Sequence, residues 1–360
     1  MVRRVLLARG GALDSDTGLG RAHFSLVSLL EKTLVRDWTL AGTIEHPVKE
    51  NILLSVWNRW VVHPKIVKQK SESSNVDLLH ITDQEQAHLV PRYSKIPIAV
   101  TVHDLFHIKP ETITIENQSI NVGDINPNPV RKLDIKKLKS GLNRANLLIC
   151  ISESTRNEVK RLFPDKKTAL VRHQIDVDHW NPEINPKSSE LINDFYDPEK
   201  CLIITVGSNE PRKRLKLVDD IFLQLDSEVV KEINLVNIGS DIKVNEDQLI
   251  ASFQHAEALL FPSISEGFGY PPAEAMAAGC KVLASDCPAH NEIVPNEYLL
   301  PADELRAWVD AVEAVHLEWK MHKGGGRKAN MKLIQHVSNL LSPKAHGDAL
   351  SKAYDSLFTK

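Results

Sequence analysis

The sequence predicts an α/β protein with two domains, on three observations. Short apolar runs alternate with segments of helical periodicity along the chain, as in parallel sheets covered by helices. The length of 360 residues exceeds what one hydrophobic core usually organises. A segment of linker-like composition from His173 to Lys187, with Pro182, Pro186 and, further on, Pro198, separates the two halves. We therefore predict domains over residues 1–174 and 175–343.

Composition is typical of a soluble globular protein. Hydrophobic residues make up 42% and charged residues 25%, and the net charge of −3 gives no reason to expect nucleic acid as a partner. No apolar run is long enough for a signal peptide core or a membrane span, so we expect a cytoplasmic protein. Four cysteines without C-x-x-C spacing predict buried free thiols in a reducing compartment: Cys150, Cys201, Cys280 and Cys287.

The first predicted strand, 5–8, leads into a glycine-rich loop and a helix. Gly18 and Gly20 would let backbone approach a phosphate or a sugar. His23 occupies the place of the third glycine in a dinucleotide-binding fingerprint, which disfavours a plain dehydrogenase. The string Asp14-Ser15-Asp16 imitates a metal-binding D-x-D motif, but its position favours a solvated turn. Asp16 is retained only as a candidate contact for an acceptor substrate.

Residues 51–70 combine apolar, aromatic and basic side chains, including Trp57, Trp60 and Arg59. An ordinary amphipathic helix, interrupted at Pro64 and covering a sheet, explains this pattern. The same composition also suits peripheral contact with an anionic bilayer. Both interpretations stay open.

Two further buried strands are predicted at 76–81 and 97–102, and His103 directly follows the second. Ligands of open α/β sheets gather at the carboxyl ends of strands, so His103 is a candidate functional residue. Residues 109–129 show no clear periodicity and predict a long polar loop. We provisionally assign this loop to binding of an acceptor substrate, with Asn121 and Asn126 as candidate contacts. A flexible loop without a function explains the pattern equally well.

The second half repeats the alternation of strand and helix. A strand at 202–207 is followed by Arg212 and Lys213 beside a helix start. Cations in this position suit a diphosphate, although a basic cluster alone is equally compatible with a solvated surface.

Residues 265–279, S-E-G-F-G-Y-P-P-A-E-A-M-A-A-G, form the most constrained stretch. The apolar run before it and Pro271-Pro272 within it predict a strand, a loop and a helix start. Glu266 falls on the loop and Glu274 in the helix, while Gly267 and Gly269 leave amides approachable at the helix N-terminus. Such a loop suits an anion and a polyol together. Two glutamates alone would be ordinary helix-start carboxylates.

The complete stretch resembles the E-x7-E region of retaining GT-B glycosyltransferases, specifically glycosyltransferase family 4, also called glycosyl transferases group 1. V-H-D-L at 102–105, S-E-S-T-R at 152–156 and P-R-K at 211–213 resemble the same family. The resemblance implies a GT-B fold, with two Rossmann-like domains facing a central cleft. It also implies that the C-terminal helix, 344–360, packs back on the first domain.

The resemblance further implies transfer of a hexose, of mannose or glucose type, from a UDP- or GDP-sugar to a hydroxyl of a glycan, lipid or small molecule. Retention of anomeric configuration is implied, with no metal or cofactor beyond the nucleotide-sugar co-substrate. The implied catalytic residues are Glu266, His103, Lys213 and Arg212. The implied donor-binding residues are Gly18, Gly20, Arg212, Lys213, Gly267, Phe268, Gly269 and Glu274.

Two positions depart from the family pattern. His173-Gln174-Ile175-Asp176 replaces the usual asparagine-glycine step at the domain crossing, and Ser208 stands where some members carry a phosphate-binding arginine. An epimerase or phosphorylase of the same fold is an alternative, and so is a non-catalytic nucleotide-sugar binding protein. Donor turnover without an acceptor would favour the enzymic alternatives, and binding without turnover would favour the last.

Overall fold

The computed structural model describes residues 2–12, 17–46, 52–73, 75–115, 118–322 and 327–359. Its strands in chain order are β1 Arg3–Gly11, β2 Trp38–His46, β3 Leu78–Ile81, β4 Ile98–Val102, β5 Glu111–Ile115, β6 Gln118–Val122, β7 Leu147–Cys150, β8 Thr168–Leu170, β9 Cys201–Val206, β10 Ile233–Ile238, β11 Ala258–Phe261, β12 Lys281–Ser285 and β13 Leu299–Leu300.

Helices occupy most of the segments between these strands. In chain order they are α1 Gly18–Glu31, α2 Ile52–Trp57, α3 His63–Ser71, α4 Pro129–Arg144, α5 Glu153–Leu162, α6 Val177–Trp180, α7 Leu215–Gln224, α8 Ser227–Glu232, α9 Glu246–His255, α10 Tyr270–Ala277, α11 Leu305–His322, α12 Met331–Leu341 and α13 Pro343–Asp355. A π-helical turn, Asn58–Val62, joins α2 to α3, and single 3₁₀ turns include Pro211–Lys213 and His290–Glu292.

The chain divides into two compact units. The first contains Met1–Glu111, Gly123–Gln174 and Pro343–Lys360. Its six parallel strands lie in the order β2-β1-β3-β4-β7-β8. Both faces of the sheet are buried: Val5 and Leu7 enter one hydrophobic cluster, and Leu6 and Ala8 enter the other. Near-continuous apolar strands are expected where helices cover both faces of a parallel sheet.

The second unit contains Thr112–Val122 and Ile175–Ser342. Its five parallel strands lie in the order β10-β9-β11-β12-β13. The unit breaks fall at 174/175 and at 342/343, against predicted boundaries at 174/175 and 343/344. The segment 112–122 belongs to this unit rather than to residues 1–174 as predicted.

Residues 109–129 are not the structureless loop that the sequence suggested. They contain β5 and β6, which form a two-stranded sheet, and the hydroxyl of Thr112 on β5 donates to Asn121 Oδ1 on β6 at 2.9 Å. The overlooked signal is alternation of polar residues with Ile113, Ile115 and Ile120. Each strand is five residues long, and such a short run of period two is easily lost among asparagines.

The helical stretch over residues 52–71 is also more continuous than predicted. Pro64 lies in the first turn of α3, and the π-helical turn before it maintains the helical path instead of an interruption. A proline in a first turn needs no N–H partner, so helix can begin there without loss.

Candidate functional site

The second unit places two functional loops side by side at its topological switch point. The chain passes from β9 to β10 on one side and then returns to β11 on the other side of β9. The loops that leave the carboxyl ends of β9 and β11 therefore diverge above neighbouring strands, where open α/β sheets bind ligands. Lys213 follows β9 and Glu266 follows β11.

These loops bring Glu266 together with two cations. Its Oε1 lies 2.6 Å from Lys213 Nζ and 2.8 Å from Arg212 Nη1, and it accepts the Ser263 hydroxyl at 2.7 Å. Arg212 also donates to the Ser265 carbonyl at 2.9 Å and, through Nε, to Glu210 at 2.9 Å. The predicted trio of Arg212, Lys213 and Glu266 is thus one cluster.

Charge decides the protonation state of Glu266. Burial alone would raise the pKa of its carboxyl group, whose side chain is 12% exposed. The positive charges of Lys213 and Arg212 outweigh that effect and lower the pKa to about 2. For Arg212 the two effects have opposite signs: burial lowers the pKa of the guanidinium group, and the nearby carboxylates of Glu266 and Glu210 raise it, with a net rise. Glu266 and Arg212 are therefore both ionised near neutral pH.

The loop after Glu266 ends at the N-terminus of α10. Gly269 is the N-cap residue with φ of +99°, and Pro271 and Pro272 stand in the first turn. A left-handed φ favours glycine, which explains this residue at this turn. The helix N-terminus adds partial positive charge beside the two cations, so the loop is suited to an anionic ligand.

The second glutamate and the loop phenylalanine are more enclosed than the sequence suggested. Glu274 lies in α10 with 2% of its surface exposed, and Phe268 is also buried, with its ring 5.1 Å from that of Tyr270. Both residues flank the loop.

Sequence reasoning missed Ser263, Glu210 and His290. The imidazole of His290 is fully buried, stacks obliquely on Phe261 at 5.2 Å and lies beneath Gly269. Its Nδ1 is 3.0 Å from the Ser285 carbonyl oxygen. The positions of Ser263 and Glu210 beside the strand ends could have identified them. His290 comes close to the loop before α10 only because of the order of the strands in the sheet.

In the first unit, His103 follows β4 as predicted, but both ring nitrogens have internal partners. Nε2 is 2.8 Å from the Thr82 carbonyl oxygen, and Nδ1 is 3.2 Å from His173 Nε2. The carbonyl requires a proton on Nε2, so Nδ1 must accept from His173. Burial lowers the pKa of His103 and of His173. The pair is a neutral, oriented element at the carboxyl edge of the sheet.

The remaining predicted residues are dispersed. Gly18 and Gly20 lie in the first turn of α1 rather than in a loop, and the amide of Gly20 donates to Thr17 Oγ1 at 3.0 Å. Asn121 is on β6, and Asn126 is exposed in the segment before α4. Asp16 lies outside the described residues.

Cys150, Cys201, Cys280 and Cys287 are buried free thiols, as predicted. Within the described part of the chain there is no group of three or more His, Cys, Asp or Glu arranged to hold a metal ion.

Solved structures identify the fold. Sucrose-phosphate synthase from Thermosynechococcus elongatus superimposes with a TM-score of 0.70 at 16% identity, covering 99% of both chains. Anabaena Alr3699/HepE in complex with UDP-glucose superimposes with a TM-score of 0.65 at 12% identity, covering 98% of this chain and 99% of that one. The fold is that of the GT-B glycosyltransferases, as predicted.

Sequence comparisons place the chain within that class. A model of glycosyl transferases group 1 matches residues 200–317, and a model of Glycosyltransferase Family 4 matches residues 27–179. The O-antigen chain mannosyltransferase RfbU of Salmonella typhimurium is 24% identical over 334 residues, covering 84% of this chain and 88% of that protein. The O-antigen chain mannosyltransferase B of Escherichia coli is 24% identical over 208 residues, covering 50% of this chain and 52% of that protein. This chain is a glycosyltransferase of group 1, family 4.

Proposed function

We propose that this glycosyltransferase transfers mannose from a nucleotide-diphosphate sugar to a glycan or lipid-linked hydroxyl, with retention of anomeric configuration. The observation that carries the proposal is the Glu266 cluster, in which two cations meet a carboxylate beside a helix N-terminus. Mannose is favoured over glucose because the two O-antigen relatives are named mannosyltransferases. The base, UDP or GDP, is decided by the experiment below.

Each group has a task in this reaction. Arg212 and Lys213, with the amides of Gly267 and Gly269, stabilise the diphosphate as negative charge grows on it. Glu266 is ionised and held by three partners, and its carboxylate accepts hydrogen bonds from hydroxyl groups of the donor sugar. By the family resemblance, Glu274 binds the ribose, His103 contacts the donor sugar, and Gly18 and Gly20 approach the donor.

The bond changes balance without an enzymic nucleophile. The bond from the anomeric carbon to the phosphate oxygen breaks, and a bond to the acceptor oxygen forms on the same face. The acceptor proton passes to the leaving phosphate. Protein cations take the charge-neutralising role that a metal has in other transferases, so we propose that no metal is required and that the reaction takes place in the cytoplasm.

A thermal-shift panel of UDP, GDP, ADP and their sugar conjugates, without and with Mg²⁺, tests this assignment. A nucleotide at about 100 times its Kd stabilises the fold by roughly 2.7 kcal/mol. We expect one base to shift Tm without metal and Lys213→Ala to abolish the shift. No response to any nucleotide would contradict the proposal. Binding followed by donor isomerisation or phosphorolysis would favour an epimerase or phosphorylase, and binding without turnover a non-catalytic protein.

A further inference from the structure

One surface of the first unit combines exposed apolar side chains with lysines. Trp57 on α2 is 59% exposed, and Val130 and Leu133 on α4 are 72% and 53% exposed. Isolated exposed apolar residues are common on soluble proteins, but a group on adjoining helices marks an interaction surface. Lys132 and Lys136 are exposed on the same helix, α4.

Direct contacts show that α4 adjoins the helical stretch over residues 52–71. The ammonium of Lys137 on α4 lies 3.1 Å from the centre of the Trp60 ring, and Arg59 Nη2 lies 3.4 Å from Asp134 Oδ1. Trp60 and Val130 line one surface hollow. We name the surface formed by Val56, Trp57, Val130, Leu133, Lys132 and Lys136 the two-helix face.

Charge on this surface has one sign. Along Pro129–Arg144, six cations accompany a single carboxylate, Asp134: Arg131, Lys132, Lys136, Lys137, Lys139 and Arg144. Asp134 is buried and is paired with Arg131 at 2.5 Å, so it does not offset the exposed lysines. A basic surface carrying tryptophan and aliphatic side chains is complementary to an anionic lipid headgroup layer.

The position of the two-helix face is also informative. Arg131 on α4 and Arg59 both contact Glu85, at 2.8 Å and 3.0 Å, in the 3₁₀ turn that follows the carboxyl end of β3. Trp57 and Leu133 lie in the second turns of the stretch 52–71 and of α4. The face therefore borders the edge at which an α/β sheet binds its ligands.

We propose that the two-helix face docks the protein on an anionic bilayer, with Trp57 and Leu133 entering the interface and the α4 lysines contacting headgroups. This extends the membrane interpretation of residues 51–70 to a second helix, and it is independent of the proposed donor chemistry. No helix in the described ranges is long and apolar enough to cross a bilayer. Attachment would be peripheral and reversible.

Vesicle flotation of the full chain tests the proposal. We expect flotation with vesicles of phosphatidylcholine and phosphatidylglycerol, release at high salt, and no flotation with phosphatidylcholine alone. Lys132→Glu/Lys136→Glu should weaken binding by roughly tenfold or more. Trp57→Ser/Leu133→Ser should weaken it comparably, since interfacial anchoring needs apolar insertion.

Matched controls lie away from the face. Leu223→Ser/Leu317→Ser removes similarly exposed apolar residues of the second unit, and Lys200→Glu/Lys352→Glu makes the same charge change elsewhere. Both should float like the natural chain. Absence of flotation with either vesicle, or equal loss in the controls, would overturn the proposal and leave a protein contact as the use of this face. Nucleotide binding in the same samples reports separately on the donor site.

Discussion

Glu266 is the residue on which the donor-site assignment depends most. Its carboxylate, with a pKa of about 2, is ionised at every pH at which the protein would work. The carboxylate pairs with both Lys213 and Arg212, so a diphosphate bound at this site would share or exchange partners within an existing cluster. A preformed cluster lowers the reorganisation needed when charge develops.

Substitutions at the cluster should reduce turnover without unfolding the protein. We expect Glu266→Gln and Lys213→Ala each to lower transfer by at least ~100-fold, because each removes a charge from the donor site. Product formation is measured as kcat/KM at donor concentrations below saturation, with circular dichroism as the folding check. Glu228→Gln and Lys231→Ala are the controls, since these residues form an exposed ion pair at 2.6 Å. Full turnover in both site variants would remove the assignment.

At the scale of elements, the start of α10 depends on Gly269. A Cβ there would lie 3.3 Å from Ile293 Cδ1, and φ of +99° is a conformation that side chains disfavour. We expect Gly269→Ala to destabilise the fold by roughly 1 to 2 kcal/mol and Gly269→Asn to cost less, because asparagine tolerates left-handed conformations better. Urea unfolding measures both. Equal stability of the natural chain and the alanine variant would show that this turn carries no strain.

The C-terminal helix α13 is joined to the first sheet by a buried polar chain. His80 on β3 lies 2.7 Å from the Tyr354 hydroxyl and 2.7 Å from the Thr101 hydroxyl. At the helix end, Asp355 accepts from Arg3 and from Trp38 Nε1, each at 3.0 Å.

Removing one hydroxyl group tests how much this buried hydrogen-bond network contributes to the stability of the fold. Tyr354→Phe leaves one imidazole nitrogen of His80 buried without its partner, so we expect a loss of about 1 to 3 kcal/mol of stability. Tyr93→Phe is the matched control because Tyr93 is 84% exposed. Chemical denaturation of both variants should separate them clearly; identical midpoints would indicate that the hydroxyl adds nothing.

At the scale of the whole molecule, buried histidines make the first unit sensitive to acid. Burial lowers the pKa of His23 and His346 to about 4 and that of His80 to about 3. The unfolded chain therefore binds protons first as the pH falls. The contribution of these neutral histidines to the free energy of unfolding is fully present above pH ~6.5. It declines towards pH 4 by about 1.4 kcal/mol per histidine for each pH unit.

Two carboxyl groups of the same unit, Asp83 and Asp104, act in the opposite direction. Burial raises the pKa of Asp83 to about 6, so its protonation favours the folded state as the pH falls below that value. Burial also lowers the pKa of His63, His88, His103 and His173 in this unit, so we still expect Tm to fall steadily between pH 6.5 and pH 4. His346→Asn, which can still donate to the Arg172 carbonyl, should flatten the profile, whereas His322→Gln at an exposed position should not. A Tm independent of pH in this interval would contradict the prediction.

Much of this architecture is readable from sequence because it depends on local burial patterns. Apolar runs predict the strands, and Pro271 with Gly269 marks the start of α10. These signals act over a few residues, at periods that one strand or one helix imposes. The stretch 265–279 identified the family for the same reason, since its loop and helix are contiguous in the chain.

Tertiary structure alone decided which distant residues meet. Lys213 contacts Glu266 across 53 positions because β9 and β11 are neighbours in the sheet, and no local pattern specifies strand order. The same holds for His80 with Tyr354, which are 274 positions apart, and for α4 beside Trp60. The sequence by itself determined the elements and the chemistry at their ends. The packing of strands and helices decided the charge cluster, the buried histidines and the two-helix face, because burial and pairing between distant segments exist only once the chain has folded.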